Sequence, residues 1–193
     1  MPEFGDVIYN ISGMYVAALQ SDNTFGEPAF VEYGQDYSWD YEADTDEIMS
    51  YGQIVETLAI IKKATGTMKE ASLNMASKSI MTGTSESESG TSPNKIATID
   101  FQTGGAGLPY FGIIVAGSSV AGNVLAGFPK CKLQTIPSFK IEQNKFRLGE
   151  AKVDMLPPSS LIRKVSRIRR NETAASIPTT GAGFDAFFAG MFD

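Results

Sequence analysis

Apolar and polar residues alternate along most of this chain with a period of two, the pattern of strands that keep one face in a core and one in water. Between Ala29 and Tyr41 the side chains Val31, Tyr33, Tyr37, Trp39 and Tyr41 share one parity, and Glu32, Asp36 and Asp40 take the other. Phe4 to Leu19 is equally rich in aromatic and β-branched residues. Ile54 to Ala64 is apolar on both parities, which predicts a strand covered on both faces. The acidic run Glu42 to Glu47 reads as a turn. Further strands are expected over Lys95 to Phe101, Tyr110 to Ala116, Val124 to Leu133, around Val153 and Met155 as far as Pro157-Pro158, and over Leu161 to Arg170. The parity slips between Phe139/Ile141 and Phe146/Leu148, so a hairpin turn fits at Gln143-Asn144. Asn171 to Thr173 reads as a polar turn.

Two segments follow the helical period instead. Thr67 and Glu70 have capping-box spacing, which predicts a helix over Lys69 to Thr82 with a Leu73, Ala76, Ile80 stripe and Gly83 as its stop. At the end of the chain Phe184, Phe187, Phe188, Met191 and Phe192 form an apolar helical face that has to dock, on its own domain or on a neighbour. Residues 84–93 are Ser-rich and polar and read as a flexible loop. Glycines recur every five residues from Gly107 to Gly127, a spacing that suggests bulges or tight bends. The 193 residues therefore suggest a single mainly β domain over 1–180, a two-sheet β-sandwich or barrel with one flanking α-helix, followed by a Phe-rich C-terminal arm over 181–193.

Composition narrows the chemistry. Without histidine, imidazole bases, the usual serine triads and most zinc sites are excluded, and the single Cys131 excludes an intrachain disulfide. Gly104 to Gly107 lacks the Lys-Ser/Thr of a phosphate loop, and Asp44 to Glu47 lacks the ligand spacing of an EF-hand. No nucleophile-and-base set or carboxylate pair stands out, so an enzyme, a cofactor and a metal are not expected. The N-terminus lacks the basic flank of a signal peptide, and no apolar run is long enough to span a membrane, so a soluble chain made in the cytoplasm is expected.

Charge is segregated. Residues 1–61 hold twelve acids and no Lys or Arg, whereas 130–170 hold eleven bases and three acids, within a net charge of −6. These segments can neutralise each other as neighbouring strands of one fold, or as unlike patches on two copies, a heterologous contact that closes into a ring or propagates. The densest basic cluster, Arg163, Lys164, Arg167, Arg169 and Arg170, has no recognition-helix or finger context in this acidic chain, so sequence-reading DNA binding is not expected.

Taken together, Tyr41 to Ile48, Ser50-Tyr-Gly52, the run Ile54 to Ala64, Gly66 to Gly83 (GTMKEASLNMASKSIMTG) and the late Ile168 to Ala174 resemble the major tail tube proteins of long-tailed bacteriophages. That resemblance implies a β-sandwich or barrel with one helix, in six-copy rings stacked as a hollow tube that DNA traverses without specific binding. Strands of neighbouring subunits would join into one lumen barrel, with a tape measure protein and tail-end proteins as further partners. The setting would be a virion tail assembled in the host cytoplasm. By the same analogy the Glu42 to Gly52 loop would touch the adjacent ring. Asp44, Asp46, Glu47, Arg163, Arg167, Arg169, Arg170, Phe184, Phe187, Phe188 and Phe192 are then the candidate inter-subunit residues, the arginines facing outward or paired with acids. The competing readings are a monomeric β-barrel that encloses a small apolar ligand, and another virion component such as a tail-terminator or capsid-decorating protein.

Overall fold

The computed structural model describes residues 10–31, 34–50, 53–70, 74–100, 107–119, 122–135, 149–158, 164–171 and 176–192. Strands β1 (Asn10–Ala18), β2 (Ala29–Phe30), β3 (Gly34–Ser50), β4 (Gln53–Glu70), β7 (Phe111–Ser119), β8 (Gly122–Leu133), β9 (Gly149–Met155) and β10 (Arg167–Asn171) form one antiparallel sheet in the order β2-β1-β7-β8-β9-β4-β3. The sheet forks at β8, whose first half pairs with β10 (Arg167 opposite Gly127) and whose end pairs with β9 (Cys131 opposite Met155). Strands β5 (Glu86–Ser89) and β6 (Ile96–Ile99) make a separate hairpin, and the helices are α1 (Met75–Thr82) and α2 (Gly181–Phe188). This is the mainly β, sandwich-like architecture with a flanking helix that the alternation predicts, and the helical period of the tail appears as α2.

One core lies inside the curled sheet. Met14 and Val16 of β1, Ile113 of β7, Phe128 of β8, Val153 of β9 and Met68 of β4 are each fully buried there. Tyr37 and Trp39 stack around Phe128 at centroid distances of 5.4 and 5.5 Å, as the odd-parity face of that strand requires. The Tyr37 hydroxyl is buried without a hydrogen-bond partner among the described residues, and burial raises its pKa well above the usual value. Burial likewise raises the Cys131 thiol, an inert core residue.

Four local expectations fail in whole or in part. The helix begins at Met75 rather than Lys69, because β4 stays paired with β9 as far as Glu70 and Met68 is needed in the core. Asn74 caps it, its side chain accepting from Ser77 N at 3.1 Å, while Gly83 ends it as expected with φ 73°. The acidic run Glu42 to Glu47 is not a turn: β3 continues through it to Ser50, paired with β4 throughout. The Ser-rich stretch contains β5, held to β6 by register and by a 2.6 Å Glu88–Lys95 ion pair. The two-sided covering expected for Ile54 to Ala64 does not extend to Ile61, which is 54% exposed. The Gln143-Asn144 turn and most of the Gly104 to Gly107 loop lie outside the described residues.

Helix α1 closes one end of the core with Met81 and carries Lys78, which is 2% exposed. Burial lowers the Lys78 ammonium from its usual 10.5 to about 8. Below pH 8 this lysine is charged in both folded and unfolded chains and its desolvation opposes folding. Between about pH 8 and 10.5 the unfolded chain holds more protons, so stability rises with pH across that window. Lys78→Met should remove this rise. Urea unfolding of both chains at pH 7 and pH 10 checks it, and equal pH dependence in the two chains would refute the assignment.

Candidate functional site

The outer surface of the sheet is built in two unlike parts. Over β1, β7 and β8 it is apolar: Ala17, Ile114, Ala116 and Leu125 point away from the inner core and meet Phe25, Phe184, Phe187, Phe188 and Met191. Strand β7 is therefore buried on both faces from Phe111 to Gly117, which its unbroken apolar run encodes. Gly112 stands at a register shift, as the glycine spacing suggests, but it also meets a ring: a methyl there would overlap Phe25. At Gly127 a methyl would overlap Phe187 and Phe188. Two of the five-residue glycines thus mark sockets for aromatic side chains.

Helix α2 is fixed at both ends. Thr180 accepts from Gly183 N at 3.1 Å, and Asp185 accepts from the Phe25 amide at 2.9 Å. At the C-terminal end the Arg167 guanidinium donates to the carbonyls of Phe187 and, at 2.8 Å, Ala189, groups that no helical turn can satisfy. The Arg169 guanidinium lies 5.5 Å from the Phe187 ring centroid. Beside the helix end an open groove of about 350 Å³ is lined by residues including Asp22, Asp185, Phe188 and Phe192. Hydrogen bonds from Thr24 hold the exposed Asp22 carboxyl below the usual range.

Phe184, Phe187 and Phe188 are thus covered by their own chain, the alternative in which the arm docks at home. Phe192 is half-buried, its ring 5.8 Å from Phe25. The half-buried Arg167 meets carbonyls of this arm and the exposed Arg169 lies over one of its rings; among the described residues neither pairs with an acid. Arg170 lies opposite Val124 in β10, and Arg163 lies outside the described residues. Asp44, Asp46 and Glu47 stand in β3 opposite Ile60, Leu58 and Thr57. Among the described residues no ion pair joins the acidic first third to the basic stretch. The recorded pairs are local: Asp36–Lys69 at 3.4 Å, Lys63–Asp154 at 3.5 Å and Glu150–Lys152 at 3.7 Å.

The other part of the outer surface, over the end of β8 and across β9, β4 and β3, is polar. Register aligns Lys132, Asp154, Thr65 and Asp40 in one row and Glu150, Lys69 and Asp36 in another. Beyond Ala43 and Ile61, β3 and β4 pair with each other alone among the described residues. They form a two-stranded ribbon of roughly 25 Å, from the rise per residue of a strand. Sequence reasoning missed the grouping of Tyr110 with Lys130 and Lys132, whose ammoniums lie 4.8 and 5.4 Å from its ring centroid. The i, i+2 lysines around Cys131 were the available signal. Among the described residues no group of three or more metal-ligating side chains occurs, and no helix is long and apolar enough to cross a membrane.

No family model and no curated protein matches the chain. Among solved structures it is similar to a sheath/tube terminator of an extracellular contractile injection system, PVC, in the extended state, at 9% identity and TM-score 0.46, over 88% of this chain and 99% of that one. It is also similar to the tube-terminating cap of the anti-feeding prophage, at 13% identity and TM-score 0.44, over 89% and 100%.

The docking of α2 gives two expectations. Gly127→Ala should lower stability by about 1–3 kcal/mol, because Phe187 and Phe188 have to shift. Arg167→Ala should cost about 1–3 kcal/mol by leaving the end carbonyls of α2 without their donor. Denaturant melts measure both, and hydrogen exchange of residues 184–188 should accelerate before that of β7. Wild-type exchange in the arginine variant would contradict the clamp.

Proposed function

We propose that this chain is a structural component of a phage-like tail and, more finely, a tube subunit that joins copies of itself in six-membered rings stacked around a channel for DNA. The carrying observation is the β3–β4 ribbon. An isolated two-stranded hairpin is marginal in water, and this one carries Ile48, Ile54, Val55, Leu58 and Ile60 in a stretch that has no further strand among the described residues. A subunit whose ribbon completes its burial on another copy accounts for it. Strands β2, β3 and β10 also each present an edge unpaired among the described residues, and ring closure would cover such edges.

The sequence resemblance to tail tube proteins supports the same reading; it takes in this ribbon, the rest of β4 with α1 as far as Gly83, and the late Ile168 to Ala174. The other partners are a tape measure protein and tail-end proteins. DNA is cargo in transit, repelled by a net-negative wall over about 8 Å at physiological salt. The work of the protein is mechanical, and the proposal includes no catalysis, cofactor or metal. The tail belongs to the virion and assembles in the host cytoplasm.

Negative-stain microscopy and sedimentation of the purified protein test this. Sixfold rings and tubes are the expected result. A species that stays monomeric at every protein and salt concentration would overturn the reading, and rings that never stack would confine it to the end of a tube.

A further inference from the structure

We infer that the acidic ribbon of one copy docks on the Tyr110–Lys130–Lys132 patch of a copy beside it, within the same ring. This rests on the reading of the chain as a ring-forming subunit. Lys130 and Lys132 are two apart on β8 and share a face, and both ammoniums gather at one ring, that of Tyr110, which is 38% exposed. Lys130 otherwise donates to the carbonyl of Pro158 at 3.5 Å. Asp154, opposite Lys132 in register, is engaged instead by Lys63 at 3.5 Å and by Gln134 at 2.9 Å. Among the described residues no carboxylate stands within ion-pair distance of either lysine. Two cations at an accessible aromatic platform fit an anionic, partly apolar partner.

The ribbon has that character. Residues 43–61 carry Asp44, Asp46, Glu47 and Glu56, no Lys or Arg, and aliphatic residues on both parities of β4. Three other bases of the cationic stretch already have partners, Arg167 and Arg169 in α2 and Lys152 in Glu150. Within one copy β9 stands between β8 and the ribbon's strands, and Lys132 lines up across β9 and β4 with Asp40, short of the ribbon, which runs on along the strand direction. Ribbon on patch is a contact between unlike surfaces, which closes into a ring when the rotation closes.

The test is charge exchange in the full chain. Lys130→Glu with Lys132→Glu, and separately Asp44→Lys with Asp46→Lys and Glu47→Lys, should each raise the concentration for half-assembly at least about tenfold and leave monomers, with melting temperature unchanged. All five changes together should restore rings. Wild-type assembly by the lysine variant, or failure of the fivefold variant to recover, would overturn the inference. Single rings that have lost stacking alone would also overturn it, since they place the contact between rings. Absence of assembly by the wild-type chain would instead remove the reading on which it rests.

Discussion

Strand β7 has no polar face, and the rest of the architecture answers that constraint. A strand apolar on both parities in an antiparallel sheet needs cover on two sides. The curl of the sheet provides one, bringing Tyr37, Met68 and Val153 over Ile113 and Phe128. The other is provided by the end of the chain. Each of Phe184, Phe187 and Phe188 contributes about 1.5–3 kcal/mol by leaving water, which exceeds the single hydrogen bonds that fix the ends of α2. The rings therefore drive docking, and Thr180, Asp185 and Arg167 set its position.

The basic cluster of β10 takes its role from the same layer. Arg167 and Arg169 lie opposite Gly127 and Leu125 on β8, and that face of β8 carries Phe187. A guanidinium there reaches helix carbonyls and an aromatic ring, both of which suit a planar cation better than an ammonium. Sequence density alone suggested that these arginines were free to meet acids elsewhere. Their environment shows that part of the positive charge after residue 130 serves the arm.

What the sequence disclosed was periodicity. The shared parity of Val31, Tyr37 and Trp39, the strands from Phe111 to Ser119 and from Gly122 to Leu133, the stop at Gly83 and the helical Phe spacing of the tail all appear in the fold, because each depends on local geometry repeated over several residues. The failures came where tertiary pairing overrode a local motif. Thr67 and Glu70 have the spacing of a cap, yet Ala64, Gly66 and Met68 alternate into the core, and seven register pairs with β9 outweigh one capping box. Glu42 to Glu47 is polar enough for a turn, but its partners across the hairpin include Ile60, Ala59 and Leu58. The sockets at Gly112 and Gly127 were illegible because they join residues far apart in the chain. The lysine pair at Tyr110 was hidden for the same reason.

The charge pattern then acquires a spatial meaning. Acids of the first third that lie on the body of the sheet are partly met by local lysines, as Asp36 is by Lys69, while those of residues 43–61 stand on a ribbon beyond the reach of β9. A two-stranded segment with no further strand among the described residues is marginal until something covers it. On the proposed reading, ordering of the ribbon and joining of copies form one equilibrium, linked by mass action. Because the apolar arm is already satisfied within its own chain, it does not compete for that role. On that reading association falls to a charged, extended element, which suits copies that must find a register and avoid collapsing through their hydrophobic surfaces.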